Sequence, residues 1–223
     1  PISSAMAMNR PLKISSRSPL GIARSSIIEF MNDQFIKDFQ RDSIEIFSSY
    51  KKMTERAVAQ VSDEEFFRVL GEESNSIAAI YKHIGGNLRS RWTDFLTTDG
   101  EKPDRDRDSE FVADTDTRES LGELWETGWS AVLSTLESLI VEDFSKTVTI
   151  RGESFSVGKA IGRSITHTAY HVGQITLLAK HFRGADWQTL SVPKGKSQEF
   201  TKFLFESKPD ANFLDAPHEF AKK

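Results

Sequence analysis

The segment from Gly158 to Phe182 constrains this chain most, because its apolar residues line up in only one register. At helical spacing Ile161, Ile165, Thr168, Val172, Ile175 and Leu178 form one stripe, and Ala160, Ser164, His167, His171 and Gln174 run beside it. A helix with that much apolar surface is buried along one side. His167 and His171 stand four residues apart, so their rings lie on the same face, separated by about 6 Å of rise. Both imidazoles then point towards the interior or its edge, where a neutral ring needs a partner. The same spacing lets two imidazoles from one helix hold a metal ion.

Further amphipathic segments precede this one. The first long helix is predicted from about Ile27 to Gln60, with Ile28, Phe35, Phe39, Ile46 and Met53 on its apolar face. Ser62, with Glu65 three residues on, has the capping-box spacing and opens a short helix that ends near Gly71. Ser74 or Asn75 caps the next long helix, which reaches to about Phe95 with Ile77, Ile80, Ile84, Leu88 and Phe95 inward. Thr117 caps another, with Leu121, Leu124, Trp125, Trp129, Val132, Leu133, Leu136 and Leu139 in a 3.6-residue stripe. Thr147–Ile150 and Ser154–Val157 alternate around Arg151-Gly152-Glu153 and read as a small β-hairpin. Four long amphipathic segments with a hairpin before the last predict an all-α, antiparallel four-helix bundle. Glu199–Phe205 reads as a last short helix whose aromatics pack on the bundle or on a second subunit.

The ends read differently. Residues 1–26 hold Arg10, Lys13, Arg17 and Arg24, no acid and many serines, and Pro11 and Pro19-Leu20-Gly21 argue against a helix there. This composition suits a leader or disordered segment. The domain is therefore expected over residues 27–207, followed by a frayed tail over 208–223. The net charge of −4 gives no basic field for nucleic acid, and no apolar run approaches the roughly 18 residues of a membrane span. Cysteine is absent, which excludes disulfides, thiolate metal ligands and a cysteine nucleophile, and fits a reducing, cytoplasmic setting.

On the helix after Ser74, His83, Asn87, Arg91 and Asp94 share adjoining parts of one face at spacings of four, four and three. One reading is a polar seam with Arg91 paired to Asp94. The other is a site: His83 joins His167 and His171 across facing helices to hold Zn²⁺, Ni²⁺ or a similar divalent ion, with water in the open position. Gly85-Gly86 costs about 1 kcal/mol per residue inside a helix, so something packs very close to the backbone there. The connection from Thr97 to Asp116 is long and charged. Its alternating Asp104-Arg105-Asp106-Arg107-Asp108 reads as a solvated run, with Phe111 as an anchor. His181 and His218 read as surface residues.

Three stretches carry a resemblance: Lys82-His83-Ile84-Gly85-Gly86-Asn87-Leu88-Arg89-Ser90-Arg91-Trp92, then Asp94 to Pro103, then His167-Thr168-Ala169-Tyr170-His171-Val172-Gly173-Gln174-Ile175. Together they resemble the DinB superfamily of metal-binding four-helix bundles, nearest to a bacterial branch of uncharacterised members, over about residues 30–205. The resemblance implies a divalent metal on His83, His167 and His171. The superfamily includes bacillithiol transferases and a mycothiol-dependent maleylpyruvate isomerase. That implies a transferase acting on a small-molecule substrate with a low-molecular-weight thiol as cosubstrate, Asn87 and Arg91 lining the approach. The reacting sulfur would then come from the cosubstrate, which fits the absence of cysteine. The same site suits a metal-dependent hydrolase. The alternative is a stress-associated, non-catalytic metal-binding protein, with the metal as a staple and the C-terminal aromatics at a homodimer interface. One ion can serve all three histidines only if the His83 ring nitrogen lies within about 8 Å of the other two.

Overall fold

The computed structural model of the chain describes residues 19–206 and 216–221. Residues 1–18 of the expected leader, the last residue of the expected domain (207), and residues 208–215 and 222–223 of the expected tail lie outside the described residues. The fold is mainly helical, with one two-stranded antiparallel hairpin. No helix among the described residues is long and apolar enough to cross a membrane.

Helix α1 spans Pro19–Val58, so it starts eight residues before the expected Ile27. Pro19 does not break it, because at the first helical position its missing N–H and fixed φ cost nothing. The inward face of α1 also differs from the sequence pattern. Phe35 is 72% exposed, whereas Ser43, Phe47, Thr54 and Ala57 are buried. The Ser43 and Thr54 hydroxyls donate to the carbonyls of Phe39 and Tyr50 one turn back, so these polar residues are satisfied inside the apolar contact.

Helix α2 (Asp63–Phe67) carries the expected capping box, with Ser62 accepting from the Glu65 amide and Glu65 accepting from the Ser62 amide. Helix α3 (Ile77–Trp92) is capped by Ser76, one residue beyond the expected Asn75. It ends at Trp92, and Asp94 then sits at φ +50°, so Arg91 and Asp94 do not share a helical face. Helix α4 (Arg118–Ser138) starts at Thr117 as expected. Strands β1 (Thr147–Ile150) and β2 (Glu153–Ser156) pair with Ile150 opposite Glu153, so the turn is Arg151-Gly152, shorter than the predicted three residues. Both turn residues have positive φ, the geometry of a two-residue hairpin turn whose twist matches the strands. Ser156 then caps α5 (Val157–Arg183).

The four long helices touch in a closed cycle: α1 with α5, α5 with α3, α3 with α4, and α4 with α1. Phe47, Trp92, Trp125 and Trp129 fill the interior, with Phe47 edge-on to Trp92 and Trp129. Helices α3 and α4 come close at their glycines: a Cβ on Gly128 would lie 2.5 Å from the Gly85 carbonyl oxygen. The close approach inferred from Gly85 is thus the backbone of α4. Helices α6 (Ser197–Glu206) and α7 (Ala216–Ala221) form a small cluster of their own through Phe200, Phe203 and Phe220. Part of the expected frayed tail is therefore a helix packed on Phe200 and Phe203, whereas Phe205 is exposed.

Candidate metal centre

Helix α3 delivers His83 and helix α5 delivers His167 and His171 to one place. One ring nitrogen from each histidine lies within 4.8 Å of the others. His83 Nε2 and His167 Nε2 are 3.2 Å apart, and the three ring centroids are separated by 4.7 to 5.2 Å. His83 is 2% exposed and His171 9%. Exposed His181 lies outside the cluster.

The outer nitrogens are held. His83 Nδ1 donates to Glu110 Oε2 at 2.8 Å, and His171 Nδ1 donates to Gln174 Oε1 at 2.8 Å. A carboxylate only accepts, so Nδ1 of His83 carries a proton and Nε2 faces the cluster. A partner on the far nitrogen is what fixes the tautomer and orientation of a metal-binding histidine. Burial, followed by the neighbouring imidazoles of His171 and His83, draws the His167 pKa down to about 3. Burial lowers that of His171 as well. Both rings are therefore neutral at physiological pH, as nitrogen ligands must be. Three converging imidazoles, two of them oriented from behind, fit a divalent ion of the zinc or nickel type.

Glu110 escaped the sequence reading. It comes from a short 3-10 turn, Ser109–Phe111, inside the connection that reads as solvated. Its side chain is 7% exposed, and Arg105, at 3%, grips it with two bonds of 2.8 Å. Burial pushes the Glu110 carboxyl up, but the hydrogen bonds from Arg105 and His83 outweigh it and hold the pKa below the usual range. The charge run is thus partly an internal ion network. Room for it comes from Gly86, where a Cβ would lie 2.4 Å from Glu110 Oε1. The second glycine of the pair was the available sequence signal, but it does not say which side chain fills the space. Phe111 anchors the connection by stacking on His83, with centroids 4.6 Å apart. The Asp99 carboxylate ties the same connection to the hairpin, accepting from the Arg151 and Gly152 amides at 2.8 Å each.

A pocket of about 190 Å³ opens beside the cluster. Helix α3 lines it with His83, Asn87, Arg91 and Trp92, and α5 with Ala160, Arg163, Ser164 and His167. The hairpin adds Ile150 and Arg151, and the connection adds Arg105 and Arg107. Asn87 and Arg91 therefore line the same pocket as two of the histidines. Arg91 donates to the Gly100 carbonyl and to Glu101, at 2.9 Å from the latter, rather than to Asp94.

Residues 34–196 match the family model described as Protein of unknown function (DUF1572). No curated protein and no solved structure matches the chain.

Proposed function

The chain belongs to the DUF1572 family, and from that premise we propose that it is a metal-dependent enzyme of the DinB superfamily, a four-helix bundle with its reactive centre at His83, His167 and His171. The observation that carries this reading is the convergence of three imidazoles beside an open pocket, with Glu110 and Gln174 setting two of the rings. A structural zinc site is closed by four protein ligands, whereas a catalytic one uses three and leaves a position for substrate. Three histidines are the only such cluster among the described residues, so the donor set is of the open kind.

The favoured reaction is transfer of a low-molecular-weight thiol to a small electrophile in the cytoplasm. A zinc or nickel ion held here would lower the pKa of the thiol and keep it as thiolate. The chain's own residues do the rest. Glu110 and Gln174 hold the Nδ1 protons, so the ligands keep one tautomer. Trp92, Phe95 and Ile150 keep one side of the pocket apolar, and Asn87 and the arginines orient the polar part of the substrate. The same arrangement suits a metal-dependent hydrolase, with water in the thiol's place. The reading also carries a homodimer, for which exposed Phe35, Tyr170 and Leu177 supply apolar surface.

The test begins with elemental analysis of protein purified without a metal-binding tag. We expect close to one equivalent of a transition metal, falling several-fold in His171→Ala at unchanged helicity. Transfer of glutathione, bacillithiol or cysteine to an electrophile should then disappear with chelator. Less than a tenth of an equivalent in the wild type would remove the basis for the reading.

A further inference from the structure

Five guanidinium groups line the pocket beside the histidines, from Arg91, Arg105, Arg107, Arg151 and Arg163, and no carboxylate does. Three of these are already matched. Glu101 accepts from Arg91 at 2.9 Å and from Arg151 at 2.8 Å, and Arg105 is clamped on Glu110. Arg107 and Arg163 have no carboxylate partner within 4 Å among the described residues.

These two are held in a different way. The Arg107 guanidinium lies 5.6 Å from the centre of the Phe111 ring, and that of Arg163 lies 5.5 Å from the centre of Phe155. An aromatic ring covers the face of a guanidinium and leaves the N–H donors on its edge free for a planar oxyanion. Each is also placed by the histidine site itself. Phe111 stacks on His83, and Arg163 stands one helical turn before His167 on α5. Arg107 and Arg163 both remain exposed at the rim, where an incoming anion meets them before it reaches the histidines.

We propose that the pocket takes a compact dianion, a small dicarboxylate or a phosphate, with Arg107 and Arg163 as the residues that match its charge. Two considerations set the class. The wall carries five guanidinium groups against the three carboxylates of Asp99, Glu101 and Glu110 behind it, so a neutral or cationic ligand leaves the excess unmatched, and a dianion offsets it. The volume of about 190 Å³ falls below the roughly 300–1,000 Å³ typical of sites for drug-sized ligands, which restricts the occupant to a small molecule. Arg91 orients the wall through Gly100 and Glu101 and leaves direct contact with the ligand to the two unpaired arginines.

This inference rests on the pocket being the substrate pocket of the proposed centre, but its test does not depend on turnover. Calorimetric titration of the full chain at low ionic strength, with and without chelator, uses succinate and inorganic phosphate as probes, with acetate and choline as controls. Succinate or phosphate should bind, with acetate at least tenfold weaker and choline silent; which dianion binds tighter separates the two chemical sources. Arg107→Ala and Arg163→Ala should each weaken binding by about tenfold, since a hydrogen bond to a charged group contributes on that scale. Both lie on the rim, so metal content and helicity should not change. Equal binding of acetate and succinate, or dianion binding unchanged in the double variant, would overturn the proposal. Metal at one equivalent without dianion binding refutes the anion pocket alone. Arginine-dependent dianion binding by a protein that holds no metal refutes the metal centre and leaves this inference standing.

Discussion

Replacing Glu110 with glutamine tests how the centre is held. The change keeps the shape of the side chain and removes its charge. Three bonds of 2.8 Å end on this carboxylate, two from Arg105 and one from His83 Nδ1. An amide has one accepting oxygen and a nitrogen that donates, so at least one of these donors then faces another donor. Breaking a buried ion pair by removing one partner costs about 3–5 kcal/mol. Glu101 lies 3.4 Å from Arg105 and offsets part of that, so a net loss of about 2–3 kcal/mol is expected. In a chain of this size that lowers the melting temperature by roughly 4–12 °C. The effect on metal is separate: loss of an outer partner of a ligating histidine typically weakens binding about 10–100-fold. Competition with a chromophoric chelator measures the second quantity and a thermal melt of the metal-free protein the first. Gly86→Ala should produce the same metal defect by pushing on the carboxylate from the other side, because its Cβ would sit 2.4 Å from Oε1. Metal affinity within threefold of wild type in both variants would refute the role given to Glu110.

Two further outcomes follow from the packing and the buried histidines. Gly128→Ala places a Cβ 2.5 Å from the Gly85 carbonyl, a backbone atom that cannot turn aside; overpacking of about 1–3 kcal/mol exceeds the roughly 1 kcal/mol gained in helix propensity, so the melting temperature should fall, and an unchanged or higher value would refute the tight crossing. Metal-free protein should lose stability as the pH drops below about 6.5. The His167 pKa is depressed to about 3 by burial first and its neighbours second, so over that window the unfolded chain binds the extra proton and the folded chain does not. The loss from pH 6.5 to 5 is about 1–2 kcal/mol after allowance for partial exposure, and melts of His167→Ala should show a flatter pH slope. An identical slope in that variant would show that the ring is not responsible.

The caps at Ser62 and Thr117 and the histidines were legible in the sequence because each depends on local chemistry. Ser62 with Glu65, and Thr117 ahead of its apolar stripe, announce caps through hydrogen bonds that span only three residues. His167 and His171 share a face because α5 is a helix, whatever packs on it. What escaped depends on partners far apart in the chain. The apolar pattern of α1 nominated Phe35, but the core took Ser43 and Thr54, whose hydroxyls bond within their own helix and so lose their polarity to the outside. The run from Asp104 to Asp108 alternates in sign, and nothing in that pattern distinguishes an arginine that turns inward from one that meets water. Arg105 turns inward onto Glu110, which follows five residues later and for whose carboxylate Gly86, on another element, leaves space.

This last dependence explains why α3 carries two adjacent glycines at a cost its intrinsic propensity opposes. Gly85 lets the backbone of α4 come into contact, and Gly86 lets the carboxylate of Glu110 lie against the helix. His83 stands two residues before the first of them, so its position is set from both sides of one helical turn. Helix α4 fixes the height and lateral position of the backbone, and Glu110 fixes the rotation of the ring. His167 and His171 need less support, since one helix sets their spacing. The histidine contributed by α3 is the one that must be brought to them. The two glycines and the buried arginine–glutamate pair are therefore parts of one device, which holds the third imidazole within 4.8 Å of the other two. A substitution at either glycine should move His83 relative to α5 while leaving the spacing of His167 and His171 intact. For that reason metal affinity should respond to Gly85, Gly86 and Gly128 more steeply than to buried positions in the neighbouring apolar stripe of α5, such as Ile161 and Ile175.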